Sequence, residues 1–484
     1  MPTHKILLIT PPSGNEETNL PRWVEKRRQK QQPLGLAVIG SQIVYEMKET
    51  VEVKILDYYS EIGATIEDVL KAIREEEGRG RINIIAISCS SFLLRQVYRL
   101  VRLLKSDSRL SGIKIAVGGP ATNYYYEEIK KWRLFDAIFI RNGNLSFLEY
   151  VRYAVDSQPL PKEGVFVLVD GAYEGSLPSE EFLIKSVQSE VPIDYGLFSD
   201  TYGFKWEGGL AAVFTSYGCP YDCAFCSEAD SLRYYICNGF NGCRKLDVIR
   251  KEVESLRSLG YSRISIVNDS FFNETNRWEE IIDIIEENRL EFEIRARVDQ
   301  LLSIGDKNIR ALVDKGLRRI LVGVESSSDE SLAFLKKGIT TQQIKEVFGH
   351  LAEAKRYHKE RGYPGEFSSV AYIMLGLKRK PATGNVEKET FLDILKSIWL
   401  PFKLEADYAH YATLVLYPGT SLYREWLKEE AEDHWQRFYE NPDMSSKLPS
   451  YPYRVKRSIV VSFAYFLFYL QPRFWRIAIK RMLK

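Results

Sequence analysis

The apolar positions divide the chain into two stretches, each alternating short β-rich runs with segments of helical period. In the first stretch Lys5–Thr10, Val51–Asp57, Ile82–Ser88, Ile113–Val117 and Ala137–Ile140 are runs of the kind that fill a buried strand. Between them Leu34–Met47, Ile66–Glu75, Leu93–Lys105 and Leu145–Val155 carry apolar residues at helical intervals. Continuous apolar strands separated by helices predict a parallel, doubly wound (Rossmann-like) α/β domain over residues 1–155, with any ligand at the carboxyl ends of the strands. From 156 to 208 the pattern breaks into Pro, Gly, Ser and acidic residues (Gln158-Pro159-Leu160-Pro161, Gly171, Pro178, Pro192), which reads as a linker with room for one hairpin. Over 209–425 the alternation resumes, and Ala211–Ser216, Arg263–Asn268, Phe292–Ala296, Arg319–Val324, Ser369–Leu375 and Tyr411–Leu416 read as strands. Six β/α units cannot close the eight-stranded form, so an open, partial (β/α)6 TIM-type barrel is expected. Residues 426–484 read as a C-terminal extension, helical from Leu422 to Trp435 and ending in a basic, apolar tail.

Composition narrows the function classes. With 45% apolar and 27% charged residues, and 67 basic side chains against 65 acidic ones, the chain is neither a disordered polyion nor a wholly basic nucleic-acid binder. The apolar run near Ile6 is too short for a signal-peptide core, and Ser458–Leu470, at 13 residues, falls short of a membrane span. Six cysteines, three of them between 219 and 226, suit a reducing compartment and a metal site better than a disulfide framework. A cytoplasmic location is expected, with a peripheral membrane association left open by the tail.

The strongest chemical signal is Cys219-Pro220-Tyr221-Asp222-Cys223-Ala224-Phe225-Cys226, directly after the first barrel strand. Three thiolates so close in sequence can wrap one soft metal centre. They leave a fourth position open, which a structural zinc does not tolerate and which a [4Fe–4S] cluster with a small-molecule ligand requires. A zinc site completed by a distant His or Cys is the competing reading.

This C-x3-C-x2-C segment, with an aromatic before its last cysteine, resembles the signature of the radical S-adenosylmethionine (SAM) superfamily. The resemblance implies that Cys219, Cys223 and Cys226 hold a [4Fe–4S] cluster whose open iron binds SAM. An electron from the cluster then cleaves SAM to a 5'-deoxyadenosyl radical that abstracts hydrogen from an unactivated carbon. Gly323-Val324-Glu325-Ser326 is similar to the family's G-V-E-S segment, which implies Glu325 and Ser326 beside SAM. A helix cap after Ser327 is the alternative for this segment. Arg297 with Asp299 resembles the family's R-x-D element, and a structural ion pair explains them equally well. Phe225 and Asn268 complete the expected SAM contacts, Asn268 with strand capping as its alternative. Tyr417-Pro418-Gly419-Thr420 is similar to a Y-P-G-T turn of the same family and is expected to be structural.

A doubly wound domain ahead of such a barrel resembles the cobalamin-dependent subgroup, and Thr10-Pro11-Pro12, Pro33-Leu34-Gly35-Leu36 and Val117-Gly118-Gly119-Pro120 agree with it. The resemblance implies Thr10, Ser88, Gly118, Gly119 and Asn144 at cobalamin. None of the histidines (His4, His350, His358, His410, His434) lies in a D-x-H-x-x-G motif, so a histidine-ligated cobalamin is excluded. Where the subgroup has G-E-G-E, this chain has Arg141-Asn142-Gly143-Asn144, which leaves a fold emptied of its ligand as the alternative.

The expected function is cobalamin-dependent methyl transfer to an unactivated carbon of a hydrophobic, lipid-like small molecule. An external one-electron donor of flavodoxin or ferredoxin type is implied, and nucleic acid is not. The alternatives are radical cyclisation, oxidation or C–C coupling without cobalamin, and a cluster-bearing sensor that never turns over. The tail from Arg454 to Lys484 has eight Lys or Arg, no Asp or Glu, and interleaved aromatics. It suits an anionic bilayer surface or the approach of an apolar substrate, or else a helix packed on the barrel. Cys89, Cys237 and Cys243 read as ordinary thiols or as part of a second redox site. The charged Glu16–Gln32 stretch reads as a ligand cover or a solvated helix.

Overall fold

The computed structural model describes residues 2–13, 32–61, 63–198, 210–230, 236–237, 240–272, 277–379, 386–429, 433–442, 457–471 and 474. The Glu16–Gln32 expectation, apart from Gln32, and the end of the tail lie outside the described residues. The first sheet contains β1 (His4–Thr10), β2 (Val51–Asp57), β3 (Ile82–Ser88), β4 (Lys114–Gly118), β5 (Ala137–Phe139), β6 (Val165–Val169) and β7 (Ala172–Ser176). Its order is β2-β1-β3-β4-β5-β6-β7. The first five strands are parallel, and β6 and β7 add antiparallel. Strand order reverses between β1 and β3, where doubly wound sheets open a crevice for ligands.

Both faces are covered, as the apolar runs require. Leu36, Ile43, Phe147 and Tyr150 from helices Leu34–Met47 and Asn144–Asp156 share a core with Ile6 and Leu8. Val69, Val97, Leu100 and Val101 from helices Ile66–Arg79 and Leu94–Ser106 share the other core with Leu7, Ile9, Ile85 and Ile87. Thr65 and Asp68 form a capping box that starts the 66–79 helix, satisfying two backbone N–H groups that the helix leaves open.

The stretch expected to be a linker supplies structure. Its hairpin, β6 and β7, extends the first sheet, and helix Glu180–Gln188 follows. The second sheet is parallel throughout: β8 (Leu210–Val213), β9 (Arg263–Ile266), β10 (Glu291–Arg297), β11 (Leu317–Glu325), β12 (Ser368–Leu375) and β13 (Tyr408–Thr413), ordered β13-β12-β11-β10-β9-β8. Six parallel strands with intervening helices make the open barrel that was expected.

Several boundaries differ from the sequence reading. β8 stops at Val213 and β9 at Ile266, because the Asn268 side chain takes the Thr215 N–H and diverts both chain ends into loops. The last strand begins at Tyr408 rather than Tyr411, since its inward positions are polar and interrupt the apolar run used to find it. Beyond the barrel, the expected 422–435 helix is two helices, Ser421–Glu429 and His434–Glu440, with 430–432 outside the described residues.

These C-terminal pieces bind the two halves together. The Trp132 indole N–H donates to Tyr439 O at 2.8 Å, and Arg95 Nε donates to Pro442 O at 2.9 Å. Gly419, at φ +82°, sits so close to Tyr124 of the first domain that a Cβ would lie 2.0 Å from the ring. The expected Y-P-G-T turn is thus an interdomain contact that only glycine permits.

Candidate active site

The cysteine loop is fixed at its centre and buried at two of its thiols. Ala224 N–H donates to Leu335 O at 2.9 Å, and Ala224 O accepts from Leu422 N–H at 3.0 Å. Cys219 and Cys223 are buried, and Cys226 is half-buried. Burial pushes the Cys219 thiol up to about 11 and the Cys226 thiol up to about 12, so the loop holds thiols until a metal displaces their protons. Among the described residues no three His, Cys, Asp or Glu side chains converge on a position for a single ion. Three cysteine donors leave one position of a tetrahedral site unfilled, which suits a polynuclear cluster with an exchangeable iron better than a structural zinc.

Arg297, at the end of β10, holds this loop. Its Nη1 donates to Cys223 Sγ at 3.1 Å and its Nη2 to Lys337 O at 2.5 Å. Nε pairs with Asp299 at 2.9 Å, and the guanidinium lies 3.7 Å from the Tyr221 ring centroid. Most of its donors meet protein partners, which is the structural ion pair weighed in the sequence reading, and the guanidinium positions the thiol loop beside the place expected for SAM. Asn268 shows the capping contacts that were the alternative to a SAM contact. It is 3% exposed, accepts from Thr215 N–H at 2.8 Å, and donates to Thr215 Oγ1 at 2.7 Å and Ser216 Oγ at 2.9 Å, tying down the approach to Cys219.

Glu325 ends β11 at φ +67°, after a register shift between Gly323 and Glu325. A left-handed non-glycine residue costs about 1–3 kcal/mol and persists only where the surroundings impose it. Here the bulge turns the carboxylate onto Lys337 Nζ at 2.7 Å, with both side chains buried. A Cβ at position 323 would fall 2.8 Å from Glu325 Oε1 and 2.9 Å from Lys337 Nζ, so Gly323 makes room for the pair. Phe225 places its ring 5.8 Å from Lys337 Nζ, which joins the cysteine loop to the same ion pair. Ser326 is fully buried and accepts from Ser328 N–H at 3.2 Å. The cap of helix Asp329–Phe334 is Ser328, so Ser326 supports the cap from one step back.

Strand register adds residues that local sequence reading missed. Arg297 is level with Gly323, Gly323 with Tyr372 and Tyr372 with His410, one row across four strands. Paired positions of a parallel sheet share a face, and the alternate residues Ala371, Ile373 and Tyr411 pack in the core with Ile394 and Ile398 of the outer helix Phe391–Lys403. Tyr372 and His410 therefore line the lumen on the level of the cysteine-pinning arginine, with ring centroids 4.9 Å apart. His410 Nδ1 lies 3.0 Å from Tyr465 Oη, which also accepts from Tyr411 N–H at 3.2 Å. Tyr465 comes from helix Arg457–Tyr469, so the tail packs on the open edge of the barrel and reaches a lumen residue. Tyr408-x-His410 and Glu293-x-Arg295-x-Arg297, polar at every second position of a strand, are the signal that could have found this row.

At the edge of the first sheet, Thr10 Oγ1 is buried without a hydrogen-bond partner, next to Asp57, whose Oδ2 is likewise unpartnered. Burial pushes the Asp57 carboxyl up to about 6. Such orphaned groups at a switch point fit a bound polar ligand. A cavity of about 760 Å³ opens on this edge between Pro12, Ser13, the Gly63–Glu67 segment and the 94–106 helix. Of the other residues expected there, Ser88 and Gly118 end neighbouring strands β3 and β4. Gly119 (φ +110°) is demanded by the fold itself, since a Cβ would strike Cys89 O at 2.7 Å.

Asn144 is fully buried and its amide is used up by Ser186 in the 180–188 helix, which makes it a structural tie. Asn142 Nδ2 donates to Glu190 Oε1 at 3.4 Å, and Glu190 continues into a buried network with Tyr217, Arg244 and Glu252. The amide at 142 is the residue that can face Glu190 without repulsion. Cys89 and Cys243 are in no disulfide, and the Cys237 side chain lies outside the described residues.

Comparisons with known proteins divide the chain in the same way. Residues 24–151 match the B12 binding domain model and residues 213–377 the Radical SAM superfamily model. The chain thus carries a Radical SAM domain, with a B12 binding domain ahead of it. Across 98% of its length, and 94% of the relative's, it is 26% identical to a Pyrococcus horikoshii protein named uncharacterized methyltransferase PH0819. Its fold resembles the radical SAM methyltransferase TsrM of Kitasatospora setae, solved with tryptophan and a SAM analogue (TM-score 0.64, 16% identity, 88% of this chain and 76% of that one). It also resembles OxsB, solved with aqua-cobalamin and SAM (TM-score 0.61, 14% identity, 95% and 66%).

Proposed function

We propose that the protein is a cobalamin-dependent radical SAM methyltransferase that methylates an unactivated carbon of a hydrophobic small molecule, drawing electrons from an external flavodoxin- or ferredoxin-type donor. The observation that carries this reading is the way the carboxyl edges of the two sheets are joined. Ala224 of the cysteine loop and Leu335, Leu416 and Leu422 beside it share one hydrophobic cluster with Ile9, Ile87 and Val117 of the first sheet. The methyltransferase names of PH0819 and TsrM support the same reading.

When bound, the cluster would supply the electron that splits SAM, and cobalamin would carry the methyl group. The chain's own residues do the rest. Cys219, Cys223 and Cys226 offer the thiolates, and Arg297 donates to Cys223 and holds the loop. The Glu325 carboxylate, fixed by Lys337, stands at the mouth as an acceptor for a cationic amine. Thr10 offers an unpartnered hydroxyl at the sheet edge. Leu321, Val370 and Tyr372, partly exposed on the inner side of their strands, give one part of the lumen wall an apolar surface that favours a hydrophobic substrate.

The test needs no substrate. Protein reconstituted anaerobically with iron, sulfide and cobalamin is given a reductant and SAM. Formation of both 5'-deoxyadenosine and S-adenosylhomocysteine is expected, because SAM serves as radical source and as methyl donor. 5'-Deoxyadenosine alone would contradict methyl transfer and point to cyclisation, oxidation or C–C coupling.

A further inference from the structure

Two neighbouring helices outside the barrel are apolar on the side that packs and apolar again on the side that does not. Helix 457–469 buries Val461, Ala464, Tyr465 and Phe468. Ile459, Phe463, Phe466 and Leu470, recurring at steps of four, three and four on the opposite face, stand out in solvent, Phe466 to 57%. Helix 391–403 meets it through Phe402, whose ring lies 5.2 Å from that of Phe468. This helix turns Leu392 (61% exposed) and Trp399 (49%) outward beside Lys396 and Lys403. A helix on a protein surface ordinarily presents a polar outer face, and a contiguous exposed apolar patch marks a surface built for a partner.

The charge around the patch identifies that partner. Lys396 and Lys403 stand among the exposed apolar side chains, Lys396 within 3.7 Å of Asp393, and the sequence from 454 to 484, seven of whose eight basic positions lie outside the described residues, has no acidic residue. No helix among the described residues is long and apolar enough to cross a membrane. A helix that is apolar outward, flanked by Lys and Arg, and accompanied by an exposed Trp has the composition of one lying in the interface of an anionic bilayer. We propose that this two-helix face docks on an anionic lipid surface. The inference stands apart from the methyl-transfer reading, since nothing in it depends on the cofactors.

The test is co-sedimentation of the full-length, cluster-loaded protein with phosphatidylcholine vesicles, with and without phosphatidylserine. Retention is expected on the anionic vesicles, weakened on the order of tenfold or more on neutral ones, and falling as salt is raised. Phe463→Glu/Phe466→Glu should abolish retention. Lys396→Glu/Lys403→Glu should weaken it by roughly fivefold for each basic side chain lost. Both variants change exposed positions and should keep the wild-type iron content and melting temperature. Failure of the wild-type protein to bind anionic vesicles would overturn the proposal, as would undiminished binding by the double phenylalanine variant. So would a concentration-dependent dimer that the phenylalanine changes disperse while vesicles are ignored, since the face would then join two copies of the chain. SAM cleavage is measured separately on the same samples, so failure of docking and failure of the enzymatic reading remain distinguishable.

Discussion

The mouth of the barrel and the carboxyl edge of the first sheet are built on opposite principles. At the mouth, polar side chains satisfy one another: Arg297 with Asp299, Cys223 and Lys337, Asn268 with Thr215 and Ser216, and Glu325 with Lys337. At the sheet edge the close approach of backbone to backbone is the constraint, at Gly119 against Cys89, while Thr10 and Asp57 keep polar atoms without partners. A centre assembled from reactive thiols needs a stiff surround to hold them at fixed spacing, whereas a large preformed ligand needs a groove and a few donors left unspent.

The largest effect expected from breaking this contrast is at the thiols. Cys223→Ala should remove the cluster, read as loss of nearly all iron and of 5'-deoxyadenosine formation. Full SAM cleavage by that variant would refute the site. Arg297→Gln should leave the three cysteines in place but lower SAM cleavage by about 10–100-fold, the usual cost of losing a partner behind a metal ligand. Glu325→Gln and Lys337→Met should each destabilise the fold by about 3–5 kcal/mol, because each leaves an uncompensated buried charge or polar group. The double variant should lose much less than the sum, which chemical denaturation of the four proteins would show.

Asn142→Asp puts a carboxylate where the resemblance implies an acid and should nevertheless destabilise by about 1–3 kcal/mol, since it sets that carboxylate against buried Glu190. Burial already holds the Glu190 carboxyl above its usual range, so this penalty should grow as pH rises. The remaining effect is at the sheet edge. Asp57 binds its proton more tightly folded than unfolded, so its folded-state penalty appears as pH rises from about 4 to about 6 and stays constant above. Asp57→Asn should raise the thermal midpoint at neutral pH, with the gain vanishing toward pH 4.

Much of the fold was legible because local periodicity decides it. The strands Val51–Asp57 and Ile82–Ser88 and the helix Leu34–Met47 agree with the sequence reading at both ends. The site was less legible, because a residue type names a neighbourhood and the partner names the role. Asn144 and Arg297 have the chemistry of cofactor contacts, but their protein partners, Ser186, 42 positions on, and Cys223, 74 positions back, are invisible to a local reading. Asn142 looked like a lost acid until Glu190 was found across from it. His410 and Tyr372 were hidden for the opposite reason: nothing marks them locally, and only the register across four strands puts them level with Arg297.

The central claim is that one chain holds a cluster and a cobalamin on two edges that face each other. It is tested most directly by the iron and cobalt content of protein produced with cobalamin, purified without oxygen and reconstituted. About four irons, as one [4Fe–4S] cluster requires, and about one cobalt per chain are predicted. Iron without cobalt would contradict the account and leave the first domain as a fold without its ligand.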